Sequence, residues 1–246
     1  MPGSSRGATI AIDELLGDEP QPEPDPEPDP RSGPRPTPLD QQRKTDCRNA
    51  GGQGWVNLGS TDPNYGNRAT GIEACLDSAY LATHPGSDPD VKKVTPPGYL
   101  WGKSYAGWLG LDSRYTINAC HLLASQLSGS GTDLRNLSTC SRAANTYTSP
   151  PGSIDENMYY WEDQVKVAID SGQVVHYRVV PKYLGDRTAP VSYEMTAEGV
   201  YSDGRPGIRF DEPVPNMLYS PSRGRKNLGA VTDSRTNLPV PIGATP

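Results

Sequence analysis

The clearest alternation of apolar and polar positions lies in the segment MYYWEDQVKVAIDSG. Its apolar residues recur three or four positions apart, at Met158, Trp161, Val165 and Ile169. This spacing puts them on one face and predicts an amphipathic helix over residues 158–172 that ends near Gly172. The next segment, QVVHYRVVPKY at 173–183, is rich in β-branched residues and predicts a strand closed by Pro181. A second strand is expected in VSYEMTAEG, residues 191–199.

The first half of the chain shows weaker patterns. RATGIEACLDSAYLAT, residues 68–83, carries apolar positions on roughly one helical face and predicts a helix. A loop is expected in HPGSDPD, residues 84–90, and another in SGSGTD, residues 128–133. Between them, PPGYLWG and the segment at 105–127 are rich in aromatic residues and interrupted by glycines. That texture favours short strands and turns around His121.

Both ends of the chain have compositions that disfavour a packed core. Residues 19–40, EPQPEPDPEPDPRSGPRPTPLD, alternate prolines with acids, a pattern typical of an extended, semi-rigid spacer. We therefore expect a disordered leader and spacer over residues 1–45, with at most a short helix in IAIDELL. Residues 217–246 are rich in Ser, Arg, Gly and Pro and are expected to form a flexible tail. One α+β domain is predicted between them, at 46–216.

The charge of the chain is unevenly distributed. The formal net charge is −6, with −4 in residues 1–45, −5 in 46–216 and +3 in 217–246. Affinity for nucleic acid comes largely from Lys and Arg that neutralise phosphates, so an acidic chain disfavours a polyanionic partner. Any phosphate-binding surface must therefore be a local patch.

The apolar runs and the cysteines limit the cellular setting. No segment approaches the roughly 20 apolar residues of a membrane span, so no membrane partner is expected. ATIAIDELL is too short and too acidic for a signal peptide, which leaves a cytosolic protein, a fragment, or a protein delivered without a cleaved leader. The four cysteines match no CxxC metal pattern. They can form two disulfides outside the cell or remain four buried thiols inside it.

His121 lies in an apolar run, followed by Asn136 and Asn145 at 15 and 24 positions downstream. A histidine in such a run is often a core residue bonded to a backbone carbonyl. Its imidazole can also act as a neutral base near pH 7. A phosphodiester hydrolase needs such a base to deprotonate water and a divalent ion to stabilise charge on the phosphate. An asparagine carbonyl suits Mg²⁺, which prefers oxygen ligands and keeps most of its waters.

The order of these motifs is similar to that of the DNA/RNA non-specific endonucleases of the ββα-metal, or His-Me finger, superfamily. That family carries D-R-G-H or N-R-C-H, a Gly-rich loop, an N-L segment, an asparagine nine residues later and a glutamate on the next helix. This chain has His121, the SGSG loop, Asn136 with Leu137, Asn145 and Glu162 in the same order. The resemblance spans residues 64–216 and implies a ββα motif on a mixed, mainly antiparallel sheet with flanking helices.

The resemblance also implies a role for each matching residue. His121 would be the general base and Asn145 the direct ligand of Mg²⁺, with Mn²⁺ as the alternative ion. Glu162 would hold the waters around the ion, and Asn136 would support the geometry of the loop. Without the family pattern, Glu162 is more simply a surface acid of a helix.

One departure from the family motif concerns the residue that contacts phosphate. Where the family has arginine two positions before the histidine, this chain has Ala119, and the preceding aspartate is Asn118. Either Arg142 or Arg135 replaces the missing guanidinium, or activity is reduced, and we favour replacement by Arg142. The simpler interpretation of Arg142 is a solvated charge beside the start of a helix.

The other candidate site residues are weaker. His176 lies in a strand on the same face as Arg178 and is expected to be structural, and His84 is expected to be an exposed loop residue. A zinc site made of Cys120, His121 and Cys140 is disfavoured because its first two ligands are adjacent in sequence.

These features favour a magnesium-dependent endonuclease that acts on DNA, with RNA as a second candidate substrate. The alternative is a catalytically weak or inactive nucleic-acid-binding or interaction module on the same scaffold. The resemblance to bacterial toxin domains makes a secreted or delivered effector plausible, with a cognate inhibitor or immunity protein as a further partner.

Overall fold

An antiparallel sheet of five strands is the largest element of the computed structural model, which describes Cys47 and residues 54–231. Its strand order is β1-β2-β5-β6-β7, two smaller sheets pair β3 with β4 and β8 with β9, and every pairing is antiparallel. In chain order the strands are β1 (Trp55–Leu58), β2 (Ile72–Leu76), β3 (Ile117–His121), β4 (Leu137–Ser141), β5 (Gln173–Lys182), β6 (Ser192–Tyr201), β7 (Pro206–Pro215), β8 (Met217–Ser220) and β9 (Gly224–Asn227).

In the part of the chain that the structure describes, five α-helices surround these sheets. They are α1 (Ser78–Thr83), α2 (Tyr99–Trp108), α3 (Ser113–Thr116), α4 (Arg142–Asn145) and α5 (Met158–Asp170). The sequence predicted α5 and the two long strands β5 and β6, and the structure confirms all three. Pro181 pairs with Tyr193 inside β5 and does not close the strand, which ends at Lys182.

The main core lies between the large sheet and α5. Alternate residues of β5 and β6, including Val175, Tyr177 and Met195, are fully buried. They pack with Met158, Val165 and Ile169, which belong to the predicted apolar face of α5. Every second residue of the strands faces the helix, and every third or fourth residue of the helix faces the sheet. The apolar side chains of both elements are therefore buried away from water.

β3, β4 and α4 form the expected ββα element. In this hairpin Ala119 lies opposite Thr139, and His121 lies opposite Leu137. α4 follows β4 without a loop, because Ser141 ends the strand and also caps the helix by accepting a hydrogen bond from the Ala144 N–H (3.0 Å). The predicted α+β fold with a ββα motif is confirmed.

Three predictions of secondary structure were wrong. The helix expected over residues 68–83 is strand β2 followed by the short helix α1. The strands and turns expected between 96 and 111 are helix α2. The flexible tail expected from residue 217 is an ordered hairpin, β8–β9, followed by a 3₁₀ turn at Leu228–Ala230. The hairpin is ordered because Leu218 and Leu228 are buried in a second apolar cluster with α2.

Both pairs of cysteines form disulfides. Cys47 bonds to Cys75 in β2, and Cys120 in β3 bonds to Cys140 in β4. The choice between thiols and disulfides is thereby settled, and a zinc site built on Cys120 and Cys140 is excluded.

The remaining expectations about the ends concern residues outside the described part of the chain. These are the leader and spacer at 1–45, its short helix and the tail beyond Val231. Within the described residues, no helix has the length and apolar character needed to cross a bilayer.

Candidate active site

Four of the five candidate site residues line one cavity of about 620 Å³. They are His121 from the end of β3, Arg142 and Asn145 from α4, and Glu162 from α5. The imidazole and the amide, 24 positions apart in sequence, therefore face the same space. The fifth candidate, Asn136, is absent from the described lining of this cavity.

His121 is held by a loop that the sequence predicted only as a turn region. Its Nε2 lies 2.9 Å from the carbonyl oxygen of Ser87. A carbonyl only accepts, so Nε2 carries the proton and the neutral ring keeps a lone pair on Nδ1. The Ser87 hydroxyl in turn accepts a hydrogen bond from the Gly131 N–H (2.9 Å), which ties this loop to the SGSG segment.

The environment of His121 favours its neutral form. Burial lowers the pKa of the imidazole below its ordinary value, while the hydrogen bond to Ser87 and the charge of Asp88 oppose this shift. Since burial is the largest cause, the ring is a neutral base at pH 7.

The position of α4 is fixed through hydrogen bonds from one buried side chain to the middle and the end of the preceding strand. The Asn216 side chain accepts a hydrogen bond from the Ser141 N–H (2.8 Å) and donates to Thr139 O (3.2 Å) and Pro190 O (2.8 Å). Asn216 is fully buried, so these bonds are shielded from water. The short helix therefore presents Arg142 and Asn145 from a rigid base.

Glu162 enters the cavity from the middle of α5. Asn157 caps this helix by accepting a hydrogen bond from the Tyr160 N–H (3.1 Å). The carboxyl group of Glu162 is buried, and burial alone raises its pKa to about 8. In the part of the chain that the structure describes, no Lys or Arg forms an ion pair with it, so the carboxyl group lacks a neutralising charge.

Asn136 has a structural position behind the cavity. It is fully buried, its side-chain oxygen accepts from the Leu123 N–H (2.8 Å), and its amide donates to Leu123 O (3.0 Å) and Ser130 O (3.0 Å). These bonds fasten the segment after His121 to the glycine-rich loop.

Substituting Asn136 by alanine is expected to destabilise the fold. The change leaves one N–H and two carbonyl groups without partners in a buried position, at a cost of about 3 kcal/mol or more. Urea unfolding followed by circular dichroism measures this loss. Thr132→Ala, an exposed change in the same loop, is the control and should leave the midpoint unchanged. Equal midpoints for Asn136→Ala and the parent would contradict this account.

The structure distinguishes between the two arginines considered for the missing phosphate contact. Arg135 is exposed and pairs with Asp133 at 2.6 Å. Arg142 lines the cavity together with Ala119, the position where the family motif carries arginine. Two residues apart on β3, Ala119 and His121 also share one side of the strand.

Sequence reasoning missed several residues around the cavity. Asp88, Tyr159 and Thr146 line it, and Ser87 orients His121. Asp88 and Ser87 lie in a loop whose composition signals only a turn, so no local pattern marks them. His176 lies elsewhere, 2.7 Å from Glu73 across the sheet, and His84 is exposed and stacks on Tyr80, as expected for residues outside the site.

Residues 47–200 match the family model of the DNA/RNA non-specific endonucleases, and the match covers more than half of the chain. The chain belongs to this family. It is therefore a nuclease, a hydrolase that acts on nucleic acid. This endonuclease has no significant match among curated protein sequences.

Two solved structures illustrate the likeness of the endonuclease to known folds. The Sda1 nuclease with bound zinc ion matches at 20% identity and a TM-score of 0.50, over 67% of this chain and 76% of that chain. NucA from Streptococcus agalactiae with magnesium ion bound matches at 19% identity and a TM-score of 0.48, over 71% and 78%. At this identity the likeness to Sda1 supports the shared fold alone.

Proposed function

We propose that the protein is a magnesium-dependent, sequence-tolerant endonuclease that hydrolyses phosphodiester bonds of DNA and also of RNA. The observation that carries this proposal is the convergence of His121, Arg142, Asn145 and Glu162 on one cavity. They supply a general base, a positively charged guanidinium, a neutral oxygen donor for a metal ion and a carboxyl group, respectively. Metal-assisted phosphodiester hydrolysis uses groups of these kinds.

The donor set of the cavity fits a hard divalent cation. The described residues contain no cluster of three or more His, Cys, Asp or Glu, which argues against a cage of protein ligands. Mg²⁺ needs few protein oxygens, and the Asn145 amide supplies one. The buried Glu162 carboxyl group, with its raised pKa, is the second feature that fits, because a nearby cation would stabilise its charged form.

In the proposed reaction, His121 accepts a proton from water at Nδ1 while the water oxygen bonds to phosphorus and the bond from phosphorus to the leaving oxygen breaks. Arg142 contacts a phosphate oxygen in place of the guanidinium missing at Ala119. Asn145 would ligate the cation directly, and Glu162 would hold the waters around it. When bound, the cation supplies positive charge at the phosphate and the leaving oxygen.

The two disulfides favour action outside a reducing compartment, since such bonds persist mainly in oxidising environments. We therefore place the active protein outside the cell or in a target compartment reached by delivery. A nuclease of this kind endangers the cell that makes it, which supports a cognate inhibitor protein as a partner.

Incubation of the purified protein with supercoiled plasmid and with a structured RNA tests the proposal. Degradation of both is expected near neutral pH with magnesium, and none with excess EDTA. Intact nucleic acid in the presence of magnesium, or binding of plasmid that chelator does not affect and that no cleavage follows, would refute the proposed activity.

Glu162→Gln is expected to change how stability depends on pH in the metal-free protein. The carboxyl group has a pKa of about 8 when folded and about 4.3 when unfolded. The folded state therefore binds the proton more strongly, and its stability falls as pH rises from about 5 to 8, by up to about 1.4 kcal/mol per pH unit. Urea unfolding in EDTA should show this slope in the parent and not in Glu162→Gln.

Magnesium should restore the stability of the parent at the upper end of this range and have less effect on Glu162→Gln. Asp163→Asn, on the same helix but away from the described lining of the cavity, is the matched control and should keep the slope of the parent. Identical slopes for the parent and Glu162→Gln would show that this carboxyl group is not the buried acid described above.

A further inference from the structure

The β8–β9 hairpin and helix α2 form a second cavity of about 610 Å³. Its lining includes Tyr105 and Trp108 from α2 and Arg223, Arg225 and Lys226 from the hairpin. All three hairpin cations lie beyond residue 200, where the match to the endonuclease family model ends. The hairpin side of this surface therefore lies outside the segment that matches the family model, whereas α2 lies within it.

Aromatic rings and a guanidinium stack on this surface. The Arg223 guanidinium carbon lies 3.9 Å from the centre of the Trp108 ring, and Trp108 stacks on Tyr105 with ring centres 5.8 Å apart. Trp108 nevertheless remains 47% exposed. A large aromatic side chain held in place but left open to solvent is suited to binding a planar group.

The cations of the hairpin differ from three other exposed arginines among the described residues. Arg114, Arg135 and Arg205 each pair with an aspartate two positions earlier, at 2.6–2.7 Å. Within the described residues, Arg223, Arg225 and Lys226 pair with no carboxylate, and no acid lines their cavity. In a chain with a net charge of −6, this surface is the local positive patch that a polyanion requires.

A groove of about 290 Å³ adjoins the active-site cavity. Arg142 lines both this groove and the active-site cavity. The groove also contains Tyr219 and Pro151; Tyr219 lies opposite Arg225 in the hairpin, and Arg225 donates a hydrogen bond to Pro151 O (3.3 Å). The groove therefore shares Arg142 with the active-site cavity and contacts the patch through the hydrogen bond of Arg225.

We propose that Trp108, Arg223, Arg225 and Lys226 bind the single-stranded part of the substrate that flanks the cleaved bond. This inference rests on the proposed nuclease function and adds a second binding surface to it. The hairpin cations neutralise phosphates, and the stacked Trp108 and Arg223 present planar groups to unpaired bases. An acidic protein would satisfy the cations but would leave the exposed stack without a planar partner.

Binding is best measured in a His121→Ala background, where the substrate stays intact. The probes are fluorescent single-stranded DNA oligonucleotides, one of about 4 nucleotides and one of about 20, chosen to lie below and above the length that one binding groove covers. The test variants are Trp108→Ala and the double variant Arg223→Ala with Arg225→Ala. Arg205→Ala removes a guanidinium that lies 4.6 Å over Tyr201 and pairs with Asp203, which makes it the matched control.

Both test variants are expected to bind the long oligonucleotide about ten-fold more weakly and the short one as the parent does. The double variant should also reduce the slope of log affinity against log salt by about 1 to 2. Arg205→Ala should match the parent in each assay. Thermal unfolding confirms that all variants fold, and Trp108→Phe, which keeps a ring for stacking, should restore most of the affinity lost in Trp108→Ala.

Equal affinity of parent and test variants for the long probe would overturn the inference, as would an equal loss in Arg205→Ala. Competition by polyglutamate as effective as competition by unlabelled DNA would also overturn it, because that result indicates a surface for acidic protein. Cleavage of plasmid by the wild-type protein is scored separately. If the wild type cuts plasmid while the variants bind normally, only the second surface is refuted.

Discussion

His121→Ala is expected to lower the rate of plasmid cleavage by about 10³-fold, within the range that a positioned general base contributes. The imidazole lies at the end of β3, lines the active-site cavity and donates from Nε2 to Ser87 O at 2.9 Å. That bond leaves Nδ1 as the proton acceptor, and alanine provides no substitute. The measurement is the initial rate of supercoil loss at saturating magnesium.

The control for this substitution is His84→Ala. His84 is exposed and stacks on Tyr80 with ring centres 4.0 Å apart, outside the described lining of the cavity. It should cut plasmid at the parental rate, and both variants should unfold at the parental temperature. An active His121→Ala protein would remove the proposed base from the mechanism.

The pH dependence of cleavage follows from the same environment. The pKa of His121 is lowered mainly by burial, so the ring stays neutral to lower pH than an ordinary histidine, whose pKa is about 6.5. The cleavage rate of the parent should therefore fall in acid as the base becomes protonated. The pH at which the rate is half-maximal should lie below the ordinary pKa of histidine. The residual activity of His121→Ala should not show this decrease at low pH.

The sequence was most informative where the order of its motifs resembles that of a known family. The resemblance implied a strand that ends at His121, a second strand near Asn136 and a helix that carries Asn145, and the structure has these elements in that order. Long periodic segments were predicted equally well, since α5 and β5 each have one clearly apolar face. In both cases local pattern and tertiary packing agree.

The errors arose where tertiary packing overrides local pattern. All five residues of β2 are buried, so both faces of this strand are covered and no alternation distinguishes it from a helix. In α2 the interior glycines suggested turns. A side chain at Gly102 would approach Ile117 and Thr139 within 3.4 Å, so glycine there allows the helix to lie against β3 and β4.

The residues that complete the active site could not be predicted from spacing alone. Ser87 and Asp88 lie more than 30 positions before His121; Ser87 holds the imidazole and Asp88 lines the cavity, and their loop is bonded to the SGSG segment. Asn216 similarly fixes α4 from 75 positions away. Such contacts depend on the fold as a whole, and a single sequence carries no local signal for them.

Asn145→Ala is expected to abolish most magnesium-dependent cleavage, with a loss of about 100-fold or more at moderate magnesium, because second-shell changes alone cost 10–100-fold. The Asn145 amide is the neutral oxygen donor that α4 presents to the cavity. Removing it should weaken binding of the cation rather than disturb folding, since Ser141, which caps the start of α4, is unchanged. Raising the magnesium concentration should therefore recover part of the activity.

Titration with Mn²⁺ alone, followed by electron paramagnetic resonance, separates this role from a contact with substrate. Asn145→Ala should bind Mn²⁺ at least about ten-fold more weakly than the parent, whereas Asn64→Ala, a change in the turn before β2, should not differ from it. Asn145→Asp tests the value of a neutral donor: its carboxylate should hold the ion more tightly and yet lower the cleavage rate, because it cancels part of the charge available to the phosphate. Unchanged Mn²⁺ affinity in Asn145→Ala would place the cation on other residues of the cavity.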